Sequence, residues 1–295
     1  MNRDELLKDW YVRYNFILGA RRTAKQKERF LKSMLYDLNV MDRKAKLHEF
    51  GSNNQGKNIY IGNIKNAKKV ICTYYDTPIF QHDSYHLADY ELNKKNTLKT
   101  MVLHSTIFLI IGLAFTFLIG IPIYQANELL SLPSILVSLF LMIYFIILKK
   151  ISTGLSSKLN LVRNTSSLLL MLQFMSKHRD KDTAFAFLDA GTYNHAGLNE
   201  LRENCRGKIY LLDSVGADKP LYQISDNERM FVAESRVEQV KQNLFDHSDI
   251  LILTSMEKIN QSFQLDKRSL KKKNVDEHNM NATFDFLEKL VGRKT

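Results

Sequence analysis

Residues 101–124 read MVLHSTIFLIIGLAFTFLIGIPIY and residues 130–148 read LSLPSILVSLFLMIYFIIL, two long apolar runs without a charged side chain in either. Only Gln125, Ala126, Asn127, Glu128 and Leu129 lie between them. A spanning helix needs roughly 20 predominantly apolar residues, and both runs reach that length. They predict a transmembrane hairpin over residues 101–149. A buried core helix is the competing reading; two such runs in tandem across so short a link argue against it.

The flanking charges orient the hairpin. Lys94, Lys95 and Lys99 precede the first run, and Lys149, Lys150, Lys158 and Arg163 follow the second. The link carries Glu128 and no Lys or Arg. Positive residues near spans stay cytoplasmic. The expectation is a two-span protein of the cell membrane with both termini in the cytoplasm. Asp4, Glu5, Lys8 and Asp9 leave no apolar core for a signal peptide at the start. Cys72 and Cys205 suggest a reducing compartment and no disulfide framework.

Outside the hairpin, residues 1–100 and 150–295 leave about 245 residues, enough for one sizeable discontinuous domain. The net charge of +11 suggests nucleic acid or an anionic surface. No basic motif is interleaved with aromatics, so nucleic acid is not expected. The densest basic run holds Lys267, Arg268, Lys271, Lys272 and Lys273. Beside a membrane each is worth on the order of 1 kcal/mol toward anionic lipid. A solvated loop is the other reading of that run.

The soluble flanks alternate strands and helices. Helical spacing runs through residues 3–38, broken at Gly19 to Thr23. Residues 45–50 (AKLHEF), 58–64 (NIYIGNI), 70–75 (VICTYY), 183–188 (TAFAFL), 209–215 (IYLLDSV) and 250–254 (ILILT) read as strands. Residues 165–175, 198–204, 231–244 and 281–291 read as helices. That alternation predicts an α/β fold, a twisted mixed sheet with helices on both faces.

The order of these segments resembles the M28 family of zinc aminopeptidases. Gly19-Ala20-Arg21-Arg22-Thr23 is similar to that family's opening G-x-R segment, and Cys72-Thr73-Tyr74-Tyr75-Asp76-Thr77 to its G-A-H-Y-D-T passage. Asn164-Thr165-Ser166-Ser167 resembles its D-N-x-S-G helix start. Phe185 to Ala190 resembles the strand before its paired glutamates, and Leu211 to Gly216 its N-L-D-M-V-G strand end. The resemblance covers most of the soluble sequence and implies a peptidase-like fold.

The metal ligands that the resemblance implies are mostly replaced. Asp76 and Asp213 remain. Tyr74 stands in the place of the first His, Arg163 in that of the bridging Asp, Gly191 and Thr192 in those of the paired glutamates, and Gln264 in that of the last His. A cocatalytic site needs a bridging carboxylate and a general base, and zinc takes His, Cys or carboxylate ligands. A guanidinium about 4 Å from a dication costs roughly 8 kcal/mol at an effective dielectric near 20. The expectation is a degenerate site with no metal, no cofactor and no catalytic residue, in which Asp76 pairs with Arg163.

Other constellations are weaker. His82 and His86 would share a helix face if that segment were helical, but the zincin Glu is missing. Asp189 and His195 form no recognisable triad order, and neither cysteine lies in a nucleophile motif. Gly112, Thr116 and Gly120 recur at four-residue spacing in the first span. Small residues there let helices approach closely, either the partner span or another membrane protein. Together these readings suggest a catalytically inactive, peptidase-like accessory subunit of a membrane complex, such as a transporter or membrane protease. Its partner would be an integral membrane protein. An active membrane-bound metallopeptidase, with a site rebuilt on Asp76, Asp213 and nearby histidines, is the alternative. A channel is disfavoured, because two uncharged spans supply no polar path.

Overall fold

The computed structural model describes residues 3–52, 55–192, 194–245 and 247–292. It divides into two compact units. One comprises Met1–Pro78, Asp83–Tyr90 and Ser157–Thr295; the other comprises Ile79–His82 and Glu91–Ser156.

Helix α1 (Arg3–Val12) runs into a wide turn over Arg13–Ile17. Helix α2 (Ala24–Val40) starts at a capping box, in which Thr23 and Gln26 satisfy each other's backbone N–H groups. Strands β1 (Ala45–Phe50), β2 (Gly56–Ile61), β3 (Lys69–Tyr74) and the short β4 (Tyr85–His86) follow. Then come the apolar helices α3 (Tyr90–Phe115), α4 (Ile121–Ala126) and α5 (Leu132–Ser152). The chain continues through α6 (Ser166–Lys177), β5 (Thr183–Leu188), α7 (Ala196–Asn204), β6 (Lys208–Asp213), β7 (Leu221–Ser225) and β8 (Glu238–Lys241). It ends with β9 (Ile250–Ser255), β10 (Glu257–Ile259), β11 (Ser262–Leu265), α8 (Lys267–Leu270) and α9 (Glu277–Val291).

In the first unit, eight strands form a mixed sheet in the order β1-β2-β5-β3-β6-β9-β7-β8. Its centre, β5-β3-β6-β9, is parallel. Side chains alternate between two cores, as a pleated strand requires. Phe185 and Phe187 of β5 face Trp10, Phe30, Phe174 and Phe286, a layer built by α1, α2, α6 and α9. Ala184, Ala186 and Leu188 face the other layer, with Leu198 and Leu201 of α7. That second face also receives Tyr85, Phe263 and Leu265 from a small sheet, β10-β11-β4. The twisted mixed α/β sheet matches the predicted fold class, with the second face covered by one helix and a small sheet.

Residues 231–244 are not the helix that the spacing of Val232, Val237, Val240 and Leu244 predicts. Gln223 on β7 accepts from Val232 N–H and donates to its carbonyl, holding that backbone extended, and Val240 lies on β8 beside Ile224. Of its three valines only Val240 lies on a strand, where its β-branching packs at little cost. The 58–64 strand ends three residues early, because Gly62 turns away at φ +86°. His82 and His86 share no helix face. His86 lies on β4, and His82 meets His104 ring to ring, Nε2 to Nε2 at 3.0 Å.

In the second unit two helical stretches, Tyr90–Ala126 and Leu132–Ser152, are long and apolar enough to cross a membrane. Only 11% and 17% of their apolar windows are buried, which is unlike a soluble core helix. The small residues of the first stretch serve its neighbour. A Cβ on Gly112 would overlap the Tyr144 ring, and Tyr144 donates its hydroxyl to Phe108 O at 2.9 Å. Gly120 faces Val137, and Thr116 donates to Gly112 O within its own helix.

Candidate functional site

In open α/β sheets, ligands bind beyond the carboxyl ends of the parallel strands. Here Asp76 follows β3, Asp189 follows β5 and Asp213 ends β6. All three are buried. Ala190 and Ser214 adopt left-handed backbone at φ +56° and +57° as the chain turns out of the sheet. Such geometry in non-glycine residues is costly and persists where surrounding bonds hold it.

Asp76 is fully engaged. Its Oδ1 accepts from Gly191 N–H at 2.9 Å; its Oδ2 accepts from Thr192 N–H at 3.2 Å and from Thr192 Oγ1 at 2.9 Å. Burial raises its carboxyl above the ordinary range. Nearby Asp189 adds to the rise, while Lys27 and the Thr192 and Gly191 bonds oppose it. Asp189 receives Lys27 Nζ at 2.5 Å and Ala190 N–H at 2.7 Å.

Tyr74 fills the space beside this group. Its ring lies so close to Gly191 that a Cβ there would overlap it. Its hydroxyl is hydrogen-bonded to His195 Nδ1 at 2.8 Å, and His195 meets Phe245 edge to face. Burial, with the Arg163 charge close by, pushes the His195 imidazole down to about 4, so it is neutral at physiological pH.

Asp213 accepts the Tyr85 hydroxyl at 2.8 Å and the Ser214 hydroxyl at 2.6 Å. The Arg163 guanidinium lies over the Tyr85 ring, 3.7 Å from its centroid. Arg163 forms no ion pair among the described residues, and the expected pairing with Asp76 is not made. Asp76 already accepts three donors, and the aromatic face holds the guanidinium elsewhere. Gln264 lies on β11 opposite His86, with no hydrogen bond to Asp76 or Asp213 among the described residues.

Thus Tyr74, Asp76, Gly191 and Thr192 converge as one group, with Arg163 and Asp213 in a second group linked through Tyr85. The pattern of acidic and basic residues pointed to neither Tyr85 nor Arg21. Arg21 is fully buried. It donates to Tyr75 O at 2.5 Å, to Tyr14 O and Leu18 O at 2.9 Å and to Thr165 Oγ1 at 3.0 Å. Burial lowers its guanidinium to about 10, and the Asp76 charge counters the fall.

The side chains present do not fit the pair of zinc ions that the M28 resemblance implies. Asp76 has both oxygens committed to donors, the Tyr74 ring occupies the place of a side chain at residue 191, and a guanidinium stands beside Tyr85 and Asp213. Among the described residues no three His, Cys, Asp or Glu side chains gather into a metal-binding group.

Solved structures that share this fold include glutaminyl cyclases and an aminopeptidase. The glutaminyl cyclase of Bacteroides thetaiotaomicron, solved with N-acetylhistamine, aligns over 98% of each chain with a TM-score of 0.55 and 11% identity. The Macrostomum lignano glutaminyl cyclase aligns over 99% of this chain and 91% of its own, with a TM-score of 0.53 and 7% identity. Legionella pneumophila LapA, an aminopeptidase, aligns over 98% of this chain and 72% of its own, with a TM-score of 0.50 and 12% identity. At such identities the likeness is one of fold alone: the chain shares the fold of these cyclases and of this aminopeptidase. No protein-family model matches the sequence, and no curated protein matches it.

Proposed function

We propose that this chain is a membrane-anchored, catalytically inactive peptidase-like protein that binds a polypeptide as the accessory subunit of a membrane complex. The observation that carries the reading is the contact between Tyr74 and Gly191. The two residues stand where the resemblance puts a metal ligand and one of the paired glutamates, and the ring of one occupies the side-chain space of the other. Asp76 supports the same reading, since its carboxylate holds the 191–192 turn in place.

Binding is the use such a cleft retains. Its carboxylates accept internal donors, while Arg163, half-buried and without an ion pair among the described residues, keeps N–H groups for a ligand. A planar guanidinium braced on an aromatic ring suits a carboxylate of a bound polypeptide. The two apolar helices would anchor the protein in the cell membrane, with both termini cytoplasmic and residues 127–131 outside. Lys267, Arg268, Lys271, Lys272 and Lys273 would lie on the cytoplasmic side, within reach of anionic lipid. An integral membrane protein is the proposed partner.

Metal analysis and an aminoacyl-reporter assay on purified protein test the inactivity. Zinc below stoichiometry and no turnover above background are expected. Stoichiometric zinc, with turnover lost in Asp76→Ala, would instead establish the metallopeptidase reading.

A further inference from the structure

The amino-terminal edge of the main sheet carries a second feature, unconnected with the Asp76 cleft. There β3 and β6 begin side by side, Lys69 opposite Lys208. An open depression of about 550 Å³ lies between the turns that lead into them. Lys65, Lys68, Lys69, Arg206 and Lys208 line it, and Tyr210 lines it from the core side. Each strand rises about 3.3 Å per residue, so six residues separate this depression from Asp76 and Asp213 by roughly 17–20 Å.

Two observations mark it as a site. The first is uncompensated charge. Lys68 pairs with Asp182 at 2.8 Å, and Asp180 acts on Lys69 at longer range. Lys69 and Lys208 donate to the carbonyls of Leu290 and Arg229, which carry no charge to offset theirs. Lys65 and Arg206 have no hydrogen bond or ion pair among the described residues. The second is the Tyr210 hydroxyl. The side chain is 3% exposed, yet its hydroxyl has no partner among the described residues. The hydroxyl itself is not fully enclosed, so it opens on the depression with its proton free to donate. Burial pushes the phenol up to about 12, so it stays a neutral donor at physiological pH.

We propose that this depression binds a small phosphorylated molecule carrying at least two negative charges. Its volume falls within the roughly 300–1,000 Å³ of small-ligand pockets. Cations around the rim and one hydroxyl held on a buried ring match the many acceptor oxygens of a polyphosphate. A nucleic-acid strand fits poorly, because no exposed aromatic side chain offers a stacking platform in it.

The test is titration calorimetry of the full chain in detergent at physiological salt, with inorganic pyrophosphate as the probe. Saturable one-site binding is expected. Tyr210→Phe, which keeps the ring and hence the packing, should weaken it about 5–10-fold. Arg206→Gln combined with Lys65→Gln should weaken it at least about tenfold. Unchanged tryptophan emission from Trp10 would show that each variant is folded. No saturable binding up to about 1 mM pyrophosphate, or binding insensitive to both variants, would overturn the proposal. Short-chain phosphatidylserine is the second arm. Tighter binding of that lipid than of pyrophosphate, lost in the Arg206 and Lys65 variant, would overturn the assignment to a soluble ligand.

Discussion

Replacing Asp76 with Ala isolates what holds the cleft together. The change strands three donors: the N–H groups of Gly191 and Thr192 and the Thr192 hydroxyl. A buried donor left without its acceptor costs about 1–3 kcal/mol. Losing a desolvated carboxylate returns part of that, because burial already disfavours its charge. The net cost is about 3 kcal/mol, which lowers the unfolding temperature of a domain this size by roughly 6–12 °C. Trp10, the one tryptophan and a core residue, reports the transition by its fluorescence. The pairing is then read from double-mutant cycles. Asp76→Ala with Thr192→Val should couple by about 1–2 kcal/mol, whereas Asp76→Ala with Arg163→Met should be additive within about 0.5 kcal/mol. A shift below about 2 °C for Asp76→Ala, or recovery by Arg163→Met, would refute this account.

Arg21→Met should be more harmful than Arg21→Lys, since one ammonium cannot reach all four acceptors; losses of about 3–5 kcal/mol and about 2 kcal/mol are expected in denaturant titration. For His195, the folded value near 4 lies below the ordinary 6.5, so stability present above about pH 6.5 should fall as the pH drops toward 4. A flat stability profile over that window would count against the buried neutral imidazole, as would an NMR titration midpoint above 6. Gly112→Ala should disturb the packing of the two apolar helices at Tyr144, read as a lower unfolding temperature in detergent, while Gly120→Ala, facing Val137 at 3.7 Å, should be close to neutral. In a cysteine-free background, a cysteine at Asn127 should react with an impermeant reagent on intact cells and one at Lys271 only after permeabilisation; reaction at Lys271 on intact cells would reverse the proposed orientation.

The central strands were legible because their residues carry two signals at once. In TAFAFL and VICTYY every position is apolar or β-prone, as expected of strands covered on both faces. The edge strands carry weaker signals: β8 is four residues long and largely exposed, and the valines around it mimic a helical stripe. In the cleft, the resemblance singled out residues but not what they do. The partners of Asp76 are mainly backbone N–H groups, which no side-chain pattern reveals. Opposite charge suggested Arg163 instead, and the structure gives that guanidinium to Tyr85. Tyr74 and Gly191 lie far apart in the chain, so their mutual fit became visible only once β3 and β5 were paired. Arg21 was read as part of a family motif; its complete burial runs against the usual exposure of Arg.

The hydrogen bonds between the segments at Pro78 and Ser157 explain how a fold can tolerate a long apolar insertion. Lengthening a flexible loop from about 5 to about 80 residues adds only about 2.5 kcal/mol of closure entropy, and less if the inserted segment is itself folded. What the domain needs is that the two ends meet, and its own hydrogen bonds bring them together. Ser157 N–H donates to Pro78 O at 3.1 Å, Asn160 Nδ2 to Gly19 O at 2.8 Å and Asn164 Nδ2 to Asp76 O at 3.0 Å. Arg21 closes the same seam, taking Thr77 Oγ1 through its backbone N–H and Thr165 Oγ1 through its guanidinium. In a metal-dependent site, ions bridge side chains from separate strands. Here Asp76 and its hydrogen-bonded neighbours connect those segments directly. The stability of the cleft therefore rests on Arg21, Asp76, Asn160 and Asn164, and Asn164→Ala, which strands the Asp76 carbonyl, should destabilise the chain by about 1–2 kcal/mol. Chelator treatment should leave the unfolding temperature unchanged; a fall of several degrees would mean that a bound metal, and not this seam, joins the strands.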